Sequence, residues 1–171
     1  MHKIRKANGA DAASLARLAE STFRETFGPV NTAENMTVHC RASYGADLQA
    51  AEIANPNMVT LLAEHEQGLI GYAQLRWGSA PGFVPGKAPG EIQRIYVAGQ
   101  WHGHGIAQAL MASCLEELRA RGTDVVWLGV WEQNLRALTF YRKLGFAECG
   151  EHVFPLGHSP QRDLILARTV Y

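Results

Sequence analysis

The sequence predicts an α/β (α+β) fold in which helices pack on one β-sheet, and three observations carry the prediction. Apolar, β-branched runs over 91–97 and 125–131 flank an amphipathic stretch, which makes a β-α-β unit and so a parallel strand pair. The runs over 58–64 and 69–77 are joined across His65 to Gly68 in the pattern of a hairpin, so an antiparallel pair accompanies the parallel one. With 171 residues, one domain spanning 1–171 is expected, its core burying roughly two thirds of the unfolded surface.

Each element has its own signal. A short strand is expected over 2–6, then a helix over 11–27, with Leu15, Leu18, Thr22 and Phe23 at helical spacing behind an Asp11 cap. Gly28 and Pro29 stop it. Asn31, followed three residues later by Glu34, resembles a capping box and opens a second helix that ends near Tyr44, with a third helical piece over 47–55. The segment GSAPGFVPGKAPG at 78–90 is too rich in glycine and proline for regular structure and is expected to be a mobile loop within the domain. A helix from about His104 to Arg121 has Gly122 as its C′ residue, and a last helix over 135–144 ends at Gly145. Strands over 146–154 and 163–168 close the sheet.

Lys plus Arg and Asp plus Glu number 16 each, so no net field steers the chain to nucleic acid or an anionic membrane, and neither is expected as a partner. Cys40, Cys114 and Cys149 are odd in number, far apart and without a C-x-x-C pair, which suits free thiols in a reducing cytoplasm. The start MHKIRKANGADAAS has no apolar h-region, and VVWLGVW at 125–131 is far short of a membrane span. A soluble, cytoplasmic protein is expected.

The stretch GQWHGHGIA at 99–107 stands between strand and helix. In that helix Ala107, Leu110, Met111, Cys114, Leu115 and Leu118 recur at i, i+3 and i+4 and form one buried face. The loop therefore sits at a helix N-terminus, where the first N–H groups lack partners and the macrodipole is positive. Gly103 and Gly105 either let a pyrophosphate touch backbone there or form a plain turn. A dinucleotide fold wants a third glycine where Gln108 stands and an acid at the end of the next strand, whereas Asp124 lies at its start. A Walker loop needs G-K-[ST], and Gly86-Lys87 is followed by Ala88. His102 and His104 have no third ligand near them, so no metal is expected.

Gln100, Gly103 and Gly105 form Q-x-x-G-x-G, which resembles the acetyl-CoA pyrophosphate loop of the GNAT N-acetyltransferases. NLRALTFYRKLGF at 134–146 is similar to that family's Asn, then Ala, then F-Y-x-x-x-G-F segment. Both fall in the order strand, loop, helix, strand, helix, and the resemblance covers essentially the whole chain. Within the family, TFRETFGPVNTAENM, EIQRIYV and WLGVWEQN resemble the PaiA-type spermidine/spermine acetyltransferases. The chain departs from the pattern at His102 and His104, where lysine or arginine is frequent, and at Ala107, where glycine is. Its phosphate grip is therefore expected to depend on pH, and a flat acetyl-CoA Kd between about pH 6 and 8 would count against that.

The resemblance implies the GNAT fold, a single mixed central sheet of about six to seven strands flanked by helices. Its two central parallel strands would splay to admit acetyl-CoA, the cosubstrate. The backbone of Ile95, Tyr96 and Val97 would pair with pantetheine, with the Val97 N–H meeting the thioester oxygen. Gln100, His102, Gly103, His104, Gly105, Ile106 and Ala107 would form the pyrophosphate site. Asn134 would bond the cofactor's amide arm or cap its own helix. A homodimer is implied as well.

Acetyl transfer to a primary amine needs a neutral amine, a stabilised oxyanion and a thiolate that can leave. Deprotonating an alkylammonium of pKa near 10.4 at pH 7 costs about 4.6 kcal/mol, so a base is worth having. Glu91 is the candidate, a solvated strand-end charge being the bland reading; alternation puts Glu91 and Gln93 on one face and Arg94 and Tyr96 on the other. Tyr141 is the candidate acid for a thiolate of pKa about 8.5, or else a core aromatic like Phe140. Trp127 and Trp131 either pack or border the acetyl group, and Lys143 is either solvated or reaches a cofactor phosphate.

The expected activity is acetyl-CoA-dependent transfer, through a ternary complex, to a small primary amine. A polyamine comes first, with Glu20, Glu25 and Glu34 of the first two helices as residues that could face it. Two alternatives stay open. One is acetylation of a peptide or protein amino terminus, for which the 78–90 loop would help shape a groove. The other is acetyl-CoA binding without transfer, as a regulator would use it.

Overall fold

The computed structural model describes all 171 residues. Strands β1 (Lys3–Lys6), β2 (Met58–His65), β3 (Gly68–Arg76), β4 (Gly90–Val97), β5 (Val125–Trp131), β6 (Ala147–Leu156) and β7 (Ser159–Thr169) form one sheet in the order β1-β2-β3-β4-β5-β7-β6. Neighbours run antiparallel except β4 and β5, which are parallel. The mixed seven-stranded sheet agrees with the fold class read from the sequence.

Helices cover both faces. Helices α1 (Ala12–Phe27), α2 (Ala33–Ser43) and α3 (Ala46–Ala54) lie on one face, α4 (Ile106–Ala120) and α5 (Leu135–Lys143) on the other. Strand alternation feeds the two cores: Leu61 packs with α4 residues and its neighbour Leu62 with α1 residues. Leu110, Cys114 and Leu118 of α4 have no exposed surface, and burying each leucine contributes about 1.5–3 kcal/mol. No helix is long and apolar enough to cross a membrane.

Four local expectations are corrected. Asp11 makes no side-chain cap to α1; its carboxylate accepts the Asn8 N–H at 2.8 Å and the Arg5 guanidinium, so it closes the turn before the helix. The cap of α2 is Thr32, whose hydroxyl accepts from Asn35 N at 3.1 Å, because Asn31 instead donates back to the Phe27 carbonyl at 2.9 Å. The 78–90 loop is pinned rather than mobile. Asp124 accepts from Lys87 N and Ala88 N at 2.6 and 3.0 Å, and Val84 is buried against Val125 and Trp127.

The fourth correction concerns β4. Gln74 pairs with Arg94 but Leu75 pairs with Ile92, so Gln93 is an extra residue, a β-bulge. Ile92 and Ile95, three apart, consequently both meet the α4 core, while Arg94 and Tyr96 face α1–α3. Glu91 pairs with Arg76, two residues along β3 from the Gln74 that meets Arg94, and so shares the face of Arg94 and Tyr96. Bulges bend the strand that carries them. Here the bend falls where β4 leaves β5: Gly90–Val126 and Glu91–Trp127 are their only pairs. Beyond Glu91 the strands part.

Candidate active site

The parting strands open a cavity of about 970 Å³ through the middle of the sheet. Its one end is the loop between β4 and α4. Gly103 and Gly105 have φ of +80° and +78°, and a Cβ on either would meet nothing within 4 Å. Backbone conformation, not space, demands glycine, since a side chain there costs about 1–2 kcal/mol. No side chain caps α4, and its first backbone bond is Ala109 N to Gly105 O at 3.0 Å. The N–H groups of Ile106, Ala107 and Gln108 therefore stay open toward an anion.

The exposed edge of β4 forms one wall. Ala98 N donates to Ile70 O on β3 at 2.9 Å, and alternation then turns the Ile95 and Val97 N–H groups into the gap. By the same alternation Tyr96 bonds toward β3, so it cannot pair with a ligand strand as expected. His102 Nε2 donates to the Val97 carbonyl at 2.7 Å, and His104 Nδ1 donates to the His102 carbonyl at 3.0 Å. Tyr141 is 8% exposed and stacks edge-on with Phe140 and Phe146 at 5.4 and 5.7 Å. Burial pushes its phenol well above the usual tyrosine range, so it stays protonated and keeps an O–H to donate.

The opposite wall is aromatic. Phe23 stacks on His39 at 4.2 Å and tilts against Phe27 at 4.5 Å, Phe27 lies 5.7 Å from Trp131, and His39 lies 5.5 Å from Phe154. Arg94 supports this wall, bonded to Glu52 and Gln74 at 2.8 and 2.6 Å with its guanidinium 5.2 Å from the Tyr44 ring centroid. Burial and the Arg94 charge lower His39 to about 4, so its imidazole is neutral at pH 7. Asp163, opposite Trp131 on β7, is pushed up to about 6 by burial and sits 3.6 Å from His152 Nε2.

Comparison with known proteins agrees with this architecture. The model of the Acetyltransferase (GNAT) family matches residues 17–146. The chain belongs to the GNAT family. It is 30% identical, over 98% of its length and 97% of the relative's, to an uncharacterized N-acetyltransferase of Lactobacillus delbrueckii subsp. lactis. It is 32% identical, over 92% and 97%, to another of Mycobacterium tuberculosis. The crystal structure of the PaiA N-acetyltransferase from Thermoplasma acidophilum, in complex with coenzyme A, superposes with a TM-score of 0.78 at 21% identity over 99% of both chains.

As a GNAT enzyme the protein is an acetyl-CoA-dependent acyltransferase, and its cavity fits that cosubstrate. The open edge of β4 offers N–H groups to an extended arm, and the glycine loop offers them to phosphates. Gln93 Oε1, Trp101 Nε1 and Gln161 Oε1 are buried on the cavity wall without partners, at about 1–3 kcal/mol each unless a ligand meets them.

The cavity brings together Glu91, Ile95, Tyr96, Val97, His102, Gly103, Gly105, Ile106, Ala107, Asn134 and Tyr141. Gln100 and His104 are not on it; Gln100 lines a separate hollow with Ser14 and Arg17. Asn134 caps α5, accepting from Ala137 N at 3.2 Å. Trp127 is buried, and Trp131 alone of the two tryptophans reaches the cavity. Both carboxylate oxygens of Glu91 are bonded by the Arg76 guanidinium, so Glu91 lines the cavity as one half of an ion pair. Of the acids expected to face a polyamine, Glu20 pairs with Arg24, Glu34 is exposed beside His158, and Glu25 accepts Gly99 N at 2.9 Å. The 78–90 loop contributes nothing to the cavity.

Sequence reading missed Phe23, His39, Arg94, His152, Phe154 and Asp163. They come from five elements, and apart from His152 and Phe154, two apart on β6, no spacing links them. Asp163 alone left a trace, as an acid opening the apolar strand run DLILA.

Proposed function

We propose that the protein transfers acetyl from acetyl-CoA to a small primary amine, a polyamine or another, by direct attack within a ternary complex. One observation carries this reading: a single cavity joins the glycine loop and the β4 edge to an acid-bearing aromatic wall, with Tyr141 on its lining. Acetyl-CoA supplies a thioester carbonyl that a neutral amine can attack. Gly103, Gly105, Ile106 and Ala107 hold the phosphates through backbone N–H groups, and the Ile95 and Val97 N–H groups hold the arm and polarise the acyl oxygen. Tyr141 supplies the proton that the departing sulfur takes. The pinned loop leaves the cavity walled by α1 and α2, which favours a small amine over a peptide laid in a groove.

The test is thiol release against spermidine, spermine, aminoglycosides, amino acids and short peptides, alongside Tyr141→Phe. Turnover on a small amine that collapses in the variant supports the reading. Acetyl-CoA binding without thiol release on any amine returns the chain to the class of regulators. The family likeness also carries a homodimer in the cytoplasm into this reading, and sedimentation of the purified chain tests the dimer.

A further inference from the structure

The far wall of the cavity holds a pair of polar side chains that the mechanism above leaves idle. Asp163 on β7 and His152 on β6 are register partners, and they lean over β5 at Gly129. A Cβ on Gly129 would lie 3.3 Å from Asp163 Oδ2 and 3.4 Å from His152 Nε2. Two polar groups thus converge on a space kept open by a missing side chain. That space lies two residues beyond Trp127, the last β5 residue paired to β4, at the point where the strands part. The Asp163 side chain is 11% exposed and that of His152 44%, so the pair runs from the cavity wall to solvent.

We infer that the space above Gly129 is the ammonium subsite of the acceptor, where Asp163 receives the amine and takes its proton. This rests on the transferase reading and narrows the acceptor. Of the three acids on the cavity wall, Glu91 is engaged by Arg76 and Glu25 by the Gly99 amide. Only Asp163 faces the aromatic wall without an arginine or amide partner. Arg136 lines the same cavity and the cavity's other two carboxylates are already held, so a second and third ammonium group would find no unpaired acid there. One ammonium head and an apolar body, lying on Phe27 and Trp131, match this arrangement better than a polyamine does.

The proton balance closes. The ammonium nitrogen gives a proton to an Asp163 oxygen, its freed lone pair adds to the thioester carbon to form the C–N bond, and the nitrogen, cationic again, gives its second proton to water in the cavity as the C–S bond breaks. The sulfur takes the Tyr141 proton. Asp163 passes its own proton through His152 to water, and Tyr141 is reprotonated from solvent.

The experiment measures 2-phenylethylamine and spermidine binding by calorimetry on the full chain with coenzyme A, and kcat/KM with acetyl-CoA. The variants are Asp163→Asn and Gly129→Ala, the second filling the space while keeping the carboxylate. Both should loosen 2-phenylethylamine by about 30-fold or more and leave acetyl-CoA affinity within about twofold; Asp163→Asn should lower kcat/KM by about 10²-fold. Should Asp163→Asn fail to fold, Gly129→Ala gives the same readout. If 2-phenylethylamine binding depends on Asp163 but no amine is acetylated, the subsite stands and the transferase reading falls. Wild type that does not bind 2-phenylethylamine, binds spermidine about tenfold more tightly, or is matched in amine binding by both variants overturns the subsite.

Discussion

The two walls of the cavity are built differently. On the cosubstrate side the working groups are backbone amides of β4 and of the loop at α4, so identity matters only where conformation demands it, at Gly103 and Gly105. On the acceptor side the working groups are side chains of α1, α2, β6 and β7, held by packing and by the half-buried Arg94–Glu52 pair. A backbone site is specified locally and tolerates change around it. A side-chain site is assembled from distant elements, and each member answers to its neighbours.

Tyr141 tests the boundary between the walls most sharply. Tyr141→Phe should reduce kcat by about 10²-fold while leaving the acetyl-CoA Kd within about twofold, because the ring still packs and only the proton donor is lost. A large rise in Kd instead would place Tyr141 in cosubstrate binding.

A smaller effect should appear on the backbone wall. Gly105→Val forces a β-branched residue into left-handed backbone at a cost of about 1–2 kcal/mol, or roughly a tenfold weaker acetyl-CoA Kd. Amine affinity, measured separately, should not move. If both constants shift together, the two walls are not independent.

The acceptor wall should also reveal itself through pH, and Asp163 and His39 pull in opposite directions. Asp163 holds its proton up to about 6 when folded and releases it from 3.8 when unfolded, so stability falls as pH rises from about 4 to 6 and stays lowered above. His39 takes its proton only near 4 when folded but near 6.5 when unfolded, so stability falls as pH drops through that window. Thermal melts should therefore show Asp163→Asn gaining at pH 7 and not below pH 4, whereas His39→Leu flattens the acid limb. Coincident pH profiles for the variants and wild type would remove both groups from this account.

The smallest change is expected away from both walls. Asp124→Ala frees the 78–90 segment from its anchor and should lower Tm by a few degrees, with kcat and both affinities unchanged. A change in turnover would tie that loop to the cavity after all.

The same contrast explains what could be read from the sequence. Strand β5 was legible to the residue, and the α4 face and the glycine loop were legible because each is a periodic or contiguous pattern. The bulge at Gln93 was not, since an extra residue leaves no mark in composition yet moves Glu91 to the other face. Asn31 misled for a related reason: it and Thr32 are both good caps, and only the reach of Asn31 to the Phe27 carbonyl decides between them. Phe23, His39 and Asp163 lie too far apart in the chain for any local rule to join them.

A sheet divided down its middle has four strand edges where an intact one has two: β1 and β6 outside, β4 and β5 within. Inner edges with open amides are templates for any extended segment that can reach them. Acetyl-CoA therefore acts as a cover as well as a reactant, shielding the edges most prone to unwanted pairing. By mass action the population with bare edges rises as the cosubstrate runs short. Any ligand that pairs with the β4 edge, coenzyme A included, shifts that population toward covered edges.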